Sequence, residues 1–217
     1  MDSEEKKKLV AEEASKIAED GQIVGLGTGS TASYFIKALA ARNLDITCVS
    51  SSKRSSELAE SLGIKTLEPD NVEKIDLYVD GADEVSKDLD LIKGGGGAHT
   101  LEKNLAYRAE RFIVIVDDSK LTHLLGDFPL PVEVREESLD ESKKALEALG
   151  AKVTLRENFK TDLGNSILDC KFSAIIKPAE LERIINNIDG VIDNGIFSKE
   201  KVSEVLVGTD EGIKRLS

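Results

Sequence analysis

Three features predict the fold class. Strand-sized apolar runs alternate with helix-sized amphipathic runs as far as Gly126, a proline-braced break follows at Phe128-Pro129-Leu130-Pro131, and the order after it is strand, helix, strand, strand, helix, strand. Alternation of the first kind builds a mostly parallel sheet with helices on both faces, and the second order is that of a ferredoxin-like unit. The expectation is an α/β protein with a Rossmann-like, mostly parallel sheet domain over residues 1–126 plus 199–217. A second, smaller ferredoxin-like α+β domain is expected over residues 127–198. A chain of 217 residues is long enough to bury a core in each.

Each element has a local reason. Ser3 is placed to cap a first helix whose apolar positions Val10, Ala14, Ile17 and Ala18 share a face, with Gly21 as its end. Gln22 to Leu26 reads as a buried strand, Thr31 to Arg42 as a helix with Phe35, Ile36 and Leu39 inward, and Ile46 to Val49 as a strand. The series continues with a helix from Ser55 to Leu62, strands at Lys65 to Leu67 and Leu77 to Val79, a helix from Thr100 to Arg108 and a strand from Phe112 to Val116. The two prolines of the break each fix their own φ and restrain the preceding residue, so a stiff connector is expected there. Beyond it come a strand at Val132 to Val134, a helix at Asp140 to Leu149, strands at Lys152 to Leu155 and Ser166 to Lys171, a helix at Ala179 to Asn187 and a strand at Val191 to Phe197. The tail, Val205 to Gly208 and Gly212 to Lys214, is too short to fold alone and is expected to add strands back to the first domain.

Composition narrows the function classes. With 40% hydrophobic and 32% charged residues the chain reads as a soluble globular protein, and no apolar run approaches the ~20 residues of a membrane span. The start, Met1 to Lys8, leads into an amphipathic pattern and not an apolar signal core, so a cytoplasmic location is expected. A net charge of -12 argues against nucleic acid or an anionic membrane as partner. Cys48 and Cys170 lie far apart in expected strands without metal-type spacing, and read as reduced core residues.

Two glycine-rich motifs carry chemistry. Gly25-Leu26-Gly27-Thr28-Gly29-Ser30-Thr31 follows a strand and opens a helix, where backbone N–H groups and the Ser30 and Thr31 hydroxyls suit an anion. It has no lysine of the P-loop kind, and Ser30 stands where a dinucleotide motif needs its third glycine. A simple phosphate monoester is the better ligand, although Lys53 and Arg54 keep an NADP-dependent oxidoreductase as an alternative. In the second stretch Asp80-Gly81-Ala82-Asp83 ends an apolar strand, Lys93 opens the run Gly94 to Gly97, and Glu102 lies at a helix start. Carboxylates and an ammonium can serve as base, acid and electrostatic stabiliser of a proton transfer. His99 and Glu102 supply only two metal-ligand candidates and His123 is isolated, so no metal is expected, and His99 reads as a supporting or surface residue.

These motifs, with Ser50-Ser51-Ser52, Glu102-Lys103, Asp118-Ser119-Lys120, Phe128 to Val134, Thr161-Asp162-Leu163-Gly164-Asn165 and Val207-Gly208-Thr209, resemble in order the ribose-5-phosphate isomerase family of the A type. The resemblance covers nearly the whole chain. It implies a cofactor-free interconversion of D-ribose 5-phosphate and D-ribulose 5-phosphate through an enediolate, in the non-oxidative pentose phosphate pathway. It also implies a sugar-phosphate substrate and a homodimer or homotetramer. Carried over residue by residue, Glu102 is the proton acceptor, Asp80 handles hydroxyl protons and ring opening, and Asp83 positions the same hydroxyls. Lys93 offsets enediolate charge with the N–H groups of Gly94, Gly95 and Gly96. Thr28, Gly29, Ser30 and Thr31 form the substrate loop, Gly81 and Ala82 line the substrate, and Lys120 and Lys7 lie near the phosphate. Leu101 departs from the family pattern, which has arginine before the Glu-Lys pair. A non-catalytic sugar-phosphate sensor would keep the first loop but need not keep Asp80, Lys93 and Glu102 together.

Overall fold

The computed structural model describes all 217 residues. In chain order the elements are α1 (Ser3–Ser15), β1 (Ile23–Leu26), α2 (Ser30–Ala41), β2 (Thr47–Ser50), α3 (Lys53–Ser61), β3 (Lys65–Leu67) and β4 (Ile75–Asp80). Then come β5 (Glu84–Ser86), β6 (Leu91–Ile92), α4 (His99–Arg108), β7 (Ala109–Asp117), β8 (Leu121–Thr122), β9 (Leu130–Val134), α5 (Leu139–Ala148), β10 (Lys152–Leu155) and β11 (Ser166–Lys171). The last are α6 (Pro178–Asn186), β12 (Val191–Asn194), β13 (Ile196–Phe197), β14 (Glu204–Thr209) and β15 (Gly212–Leu216). The chain forms two compact units, one of residues 1–82, 101–120 and 200–217, the other of residues 83–100 and 121–199.

The first unit holds a seven-stranded sheet in the order β3-β2-β1-β4-β7-β14-β15. All neighbours run parallel except the edge pair β14 and β15, so the tail does add strands to this sheet. This is the doubly wound order, and its direction of winding reverses between β1 and β4. Val24, Leu26, Leu77, Val79, Ile113 and Ile115 of the strands close a core with Val10 and Ala14 of α1 and Phe35, Ile36 and Leu39 of α2. Asp2, not Ser3, caps α1: its carboxylate accepts the Glu5 N–H at 2.8 Å while Glu5 accepts the Asp2 N–H at 2.9 Å. The Ser3 hydroxyl instead donates to Asp117 at 3.2 Å. The helix also stops at Ser15, well before Gly21, and Arg42 donates to the carbonyls of Ser15 and Ala18 there, satisfying acceptors that the helix end leaves open.

In the second unit β10-β11-β9-β12 form an antiparallel sheet, the strand order of a ferredoxin-like fold, with α5 and α6 as its helices. Leu130, Val132, Val134, Leu146, Val153, Leu168 and Ile185 supply its core. The expected stiff connector is part of the sheet: β9 starts at Leu130, and Pro131 pairs in register with Asp169. Its missing N–H is tolerated at the strand's start, where its carbonyl accepts the Gly195 N–H at 2.9 Å. The strand expected over Val191 to Phe197 divides at Gly195, and β13 leaves β12's sheet to pair with β6. Gly195 is forced there by close approach, since a Cβ would lie 2.2 Å from the Lys93 carbonyl oxygen. Strands β13, β6, β5 and β8 form a small sheet of their own. Residues 83–100, expected with the first domain, therefore group with the second unit, and the return to it starts at Leu121, earlier than the expected residue 127. No helix is long and apolar enough to cross a membrane.

Candidate active site

Strands β1 and β4 flank the point where the first unit's winding reverses, the position at which doubly wound sheets bind ligands beyond the carboxyl ends of their strands. Leu26 at the end of β1 stands opposite Val79, and the chain then turns through Gly27, Thr28 and Gly29 into α2. Gly29 caps α2 with φ +112° and no side-chain hydrogen bond, so the helix opens on backbone N–H groups beside the Ser30 and Thr31 hydroxyls. Gly29 and Ser30 are exposed, Thr28 and Thr31 half-buried. An uncapped helix start of this kind attracts an anion.

Asp80, the last residue of β4, is fully buried. Its Oδ1 accepts the N–H groups of Thr28 at 3.0 Å and Gly81 at 2.7 Å, and its Oδ2 accepts the Tyr78 hydroxyl at 2.6 Å. Tyr78 and Asp80 meet because residues two apart on a strand share a face. Burial, and then the charges of Asp80 and Glu102, hold the Tyr78 phenol pKa well above its usual value of 10.0, so it stays a donor. Gly27 must lack a side chain, for a Cβ would sit 2.1 Å from the Asp80 carboxyl. The serine run after β2 fixes the same turn. Ser51 Oγ lies 2.8 Å from Thr28 Oγ1, and Ser55 Oγ donates to the Gly27 carbonyl at 2.7 Å.

Glu102 and Lys103 lie in the first turns of α4, both buried. Lys120 closes the short turn Asp118–Lys120 after β7 and is half-buried. Lys7 is paired with Glu4 at 2.7 Å, and Glu4 also accepts the Tyr34 hydroxyl at 2.7 Å. Its neighbour Lys6 is the more enclosed lysine, bridging Asp118 at 3.0 Å and Asp210 at 3.2 Å.

The second unit carries Asp83, Lys93 and the glycine run. Asp83 Oδ2 accepts the Gly95 N–H at 2.7 Å. Lys93 is buried at the end of β6, with its ammonium 5.5 Å from the Phe197 ring centroid and its N–H on the Gly195 carbonyl at 2.9 Å. His99 is fully buried, which removes the surface reading, and its Nε2 lies 3.3 Å from the Asp193 carbonyl oxygen. Buried Glu133 on β9 accepts from Thr161 Oγ1 at 2.7 Å, from Asn165 Nδ2 at 2.9 Å and from the Thr100 hydroxyl at the start of α4. The signal for Glu133 was a lone carboxylate in an apolar strand, a residue type seldom buried without partners.

The first unit is thus a Rossmann-like α/β unit with an uncapped glycine turn and a buried carboxylate at its switch point. A family model for ribose 5-phosphate isomerase A (phosphoriboisomerase A) matches residues 47–212. The chain is 43% identical to the ribose 5-phosphate isomerase A of Methanocaldococcus jannaschii, covering 99% of each chain with a TM-score of 0.95. It is 40% identical to that of Neisseria gonorrhoeae, over 99% of this chain and 97% of the other, with a TM-score of 0.96. A D-ribose-5-phosphate isomerase solved in complex with phospho-erythronic acid is 43% identical over the full length of both chains, with a TM-score of 0.97. The chain belongs to the ribose 5-phosphate isomerase A family, and it is an isomerase.

Proposed function

We propose that the chain interconverts D-ribose 5-phosphate and D-ribulose 5-phosphate with Glu102 as the proton-transferring base. The carboxylate takes the proton from C2 of the open-chain aldose, leaving an enediolate, and returns it to C1 to give the ketose. Asp80 and Asp83 handle and orient the hydroxyl protons that move between O1 and O2. Lys93 offsets the oxyanion charge, with backbone N–H groups of the glycine run as further donors. Thr28, Gly29, Ser30 and Thr31 hold the phosphate, with Lys120 and Lys7 as its counter-charges, and Lys7 must leave Glu4 to serve. Gly81 and Ala82 line the substrate. The protein is read as cytoplasmic, and the resemblance supports a homodimer or homotetramer.

One observation carries this reading. A relative of equal length and 43% identity binds phospho-erythronic acid, a four-carbon aldonate phosphate. Its planar carboxylate has the shape and charge of the enediolate end of a five-carbon sugar phosphate, so a site that holds it is complementary to the intermediate. The test is ketose formation from ribose 5-phosphate by wild type and Glu102→Gln, with inorganic phosphate as a competitor. Loss of the base lowers kcat by at least about 100-fold while phosphate inhibition persists. A folded Glu102→Gln protein keeping more than about a tenth of wild-type kcat would remove Glu102 from the role.

A further inference from the structure

The glycine run is held from behind by a side chain that the reaction itself does not call for. Arg156 follows β10 directly, and its guanidinium forks onto Asp169 of β11, Nε to Oδ2 at 2.9 Å and Nη2 to Oδ1 at 2.5 Å. Its remaining nitrogen, Nη1, reaches the carbonyl oxygens of Gly95 at 3.1 Å and Gly94 at 3.4 Å. The guanidinium also stacks 5.3 Å from the Phe159 ring centroid. That ring presses on Gly97, where a Cβ would come within 2.2 Å of it and where φ is +82°.

We propose that Arg156 is a positioning residue that aims the Gly95–Gly96 peptide as an oxyanion donor. The argument rests on peptide geometry. In a trans peptide the C=O and the following N–H point in opposite directions, and the chain has no cis bonds. With the carbonyls of Gly94 and Gly95 both turned to Arg156, the N–H groups of Gly95 and Gly96 face the other way. The first of them donates to Asp83 at 2.7 Å, which confirms the direction, and the second belongs to the exposed Gly96. Two successive N–H groups on one side make a concave anion nest, in which the Asp83 carboxylate takes the first donor and Gly96 offers the second. A cation on the carbonyl also polarises the peptide, which strengthens its N–H as a donor. The Gly94 carbonyl also accepts the Gly97 N–H at 2.9 Å, which closes a turn, so the clamp acts chiefly on the Gly95 carbonyl, and Arg156 is itself fixed to a strand by Asp169.

This inference rests on the proposed isomerase reading, and the experiment separates the two. Arg156→Ala and Arg156→Lys are compared with wild type and Glu102→Gln for kcat, KM, inhibition by inorganic phosphate, and affinity for a four-carbon aldonate phosphate against the matching alditol phosphate. Misaiming a donor costs less than deleting one, so kcat of Arg156→Ala falls by about 10- to 100-fold, below the ~10²–10³ of a removed oxyanion donor. The aldonate loses affinity by a similar factor, while the alditol and inorganic phosphate bind as before. Lysine keeps the charge but cannot span Asp169 and two carbonyls, so Arg156→Lys falls between, and added guanidinium restores part of the alanine variant's kcat. A merely structural role would lower the active fraction without changing the aldonate-to-alditol preference. Unchanged kcat, or equal losses for all three ligands, in a protein whose Glu102→Gln variant is inactive would overturn the role of Arg156 alone. Full activity of Glu102→Gln would overturn the parent reading instead.

Discussion

Removing the Tyr78 hydroxyl isolates one of the hydrogen bonds that hold Asp80. In Tyr78→Phe the ring stays packed 5.1 Å from the Phe112 ring, so little apolar contact is lost. What goes is a 2.6 Å bond from a fully buried phenol to Oδ2 of a fully buried carboxylate. A hydrogen bond to a charged group contributes about 1.5–3 kcal/mol. At roughly 2–4 °C per kcal/mol for a chain of this size, Tm drops by about 3–12 °C. The chain has no tryptophan, so urea unfolding is followed by far-UV circular dichroism, with an unchanged slope and a lower midpoint expected. The backbone donors Thr28 and Gly81 still grip Oδ1, so kcat/KM falls less than in Asp80→Asn, whose amide cannot accept from every donor around it. A stability loss under about 0.5 kcal/mol would refute the claim that the phenol is a structural partner of the carboxylate.

Lys93→Met is expected to lower kcat more than it raises KM, since an ammonium that meets the enediolate acts mainly in the transition state; a loss confined to KM would make Lys93 a binding group instead. Asp117 gives a pH test. Burial pushes its carboxyl pKa up, but donation from the Ser119 hydroxyl and N–H and the Ser3 hydroxyl, with the Lys120 charge, outweighs burial and sets the pKa below the usual 3.8. Stability from a depressed carboxyl is fully present above the unfolded value and is lost as pH falls through the folded one. The midpoint gap between wild type and Asp117→Asn is therefore largest at neutral pH and narrows below pH 3.8, and a gap independent of pH would contradict the assignment.

Much of the fold was legible because most strands and helices of the two larger sheets are long enough to show their period. The strands at Gln22 to Leu26 and Phe112 to Val116 and the helix at Thr31 to Arg42 all appear within a few residues of where their patterns put them. The small sheet was not legible: β6, β8 and β13 have two residues each and β5 three, too short for any periodicity. The division at Gly195 was hidden for a related reason. A strand that changes partners looks continuous in sequence, and only the close approach of the Lys93 carbonyl shows why a glycine is needed at that point.

The candidate site residues divide along the same line. Asp80, Lys93, Glu102 and the loop Thr28 to Thr31 could be named because their chemistry is local: a residue type, a glycine turn, a helix start. The residues that orient them act through partners distant in sequence. Tyr78 was read as one more apolar strand residue although it shares a strand face with Asp80. Ser51 and Ser55 reach back about 25 residues to the glycine turn, and Arg156 reaches more than 60 to the glycine run. Within the second unit Thr100 is tied to Glu133, itself held by Thr161 and Asn165. A carboxylate proposed to serve C2 and then C1 needs a fixed position more than it needs an unusual neighbour. The spread of these supports over the chain follows from that need.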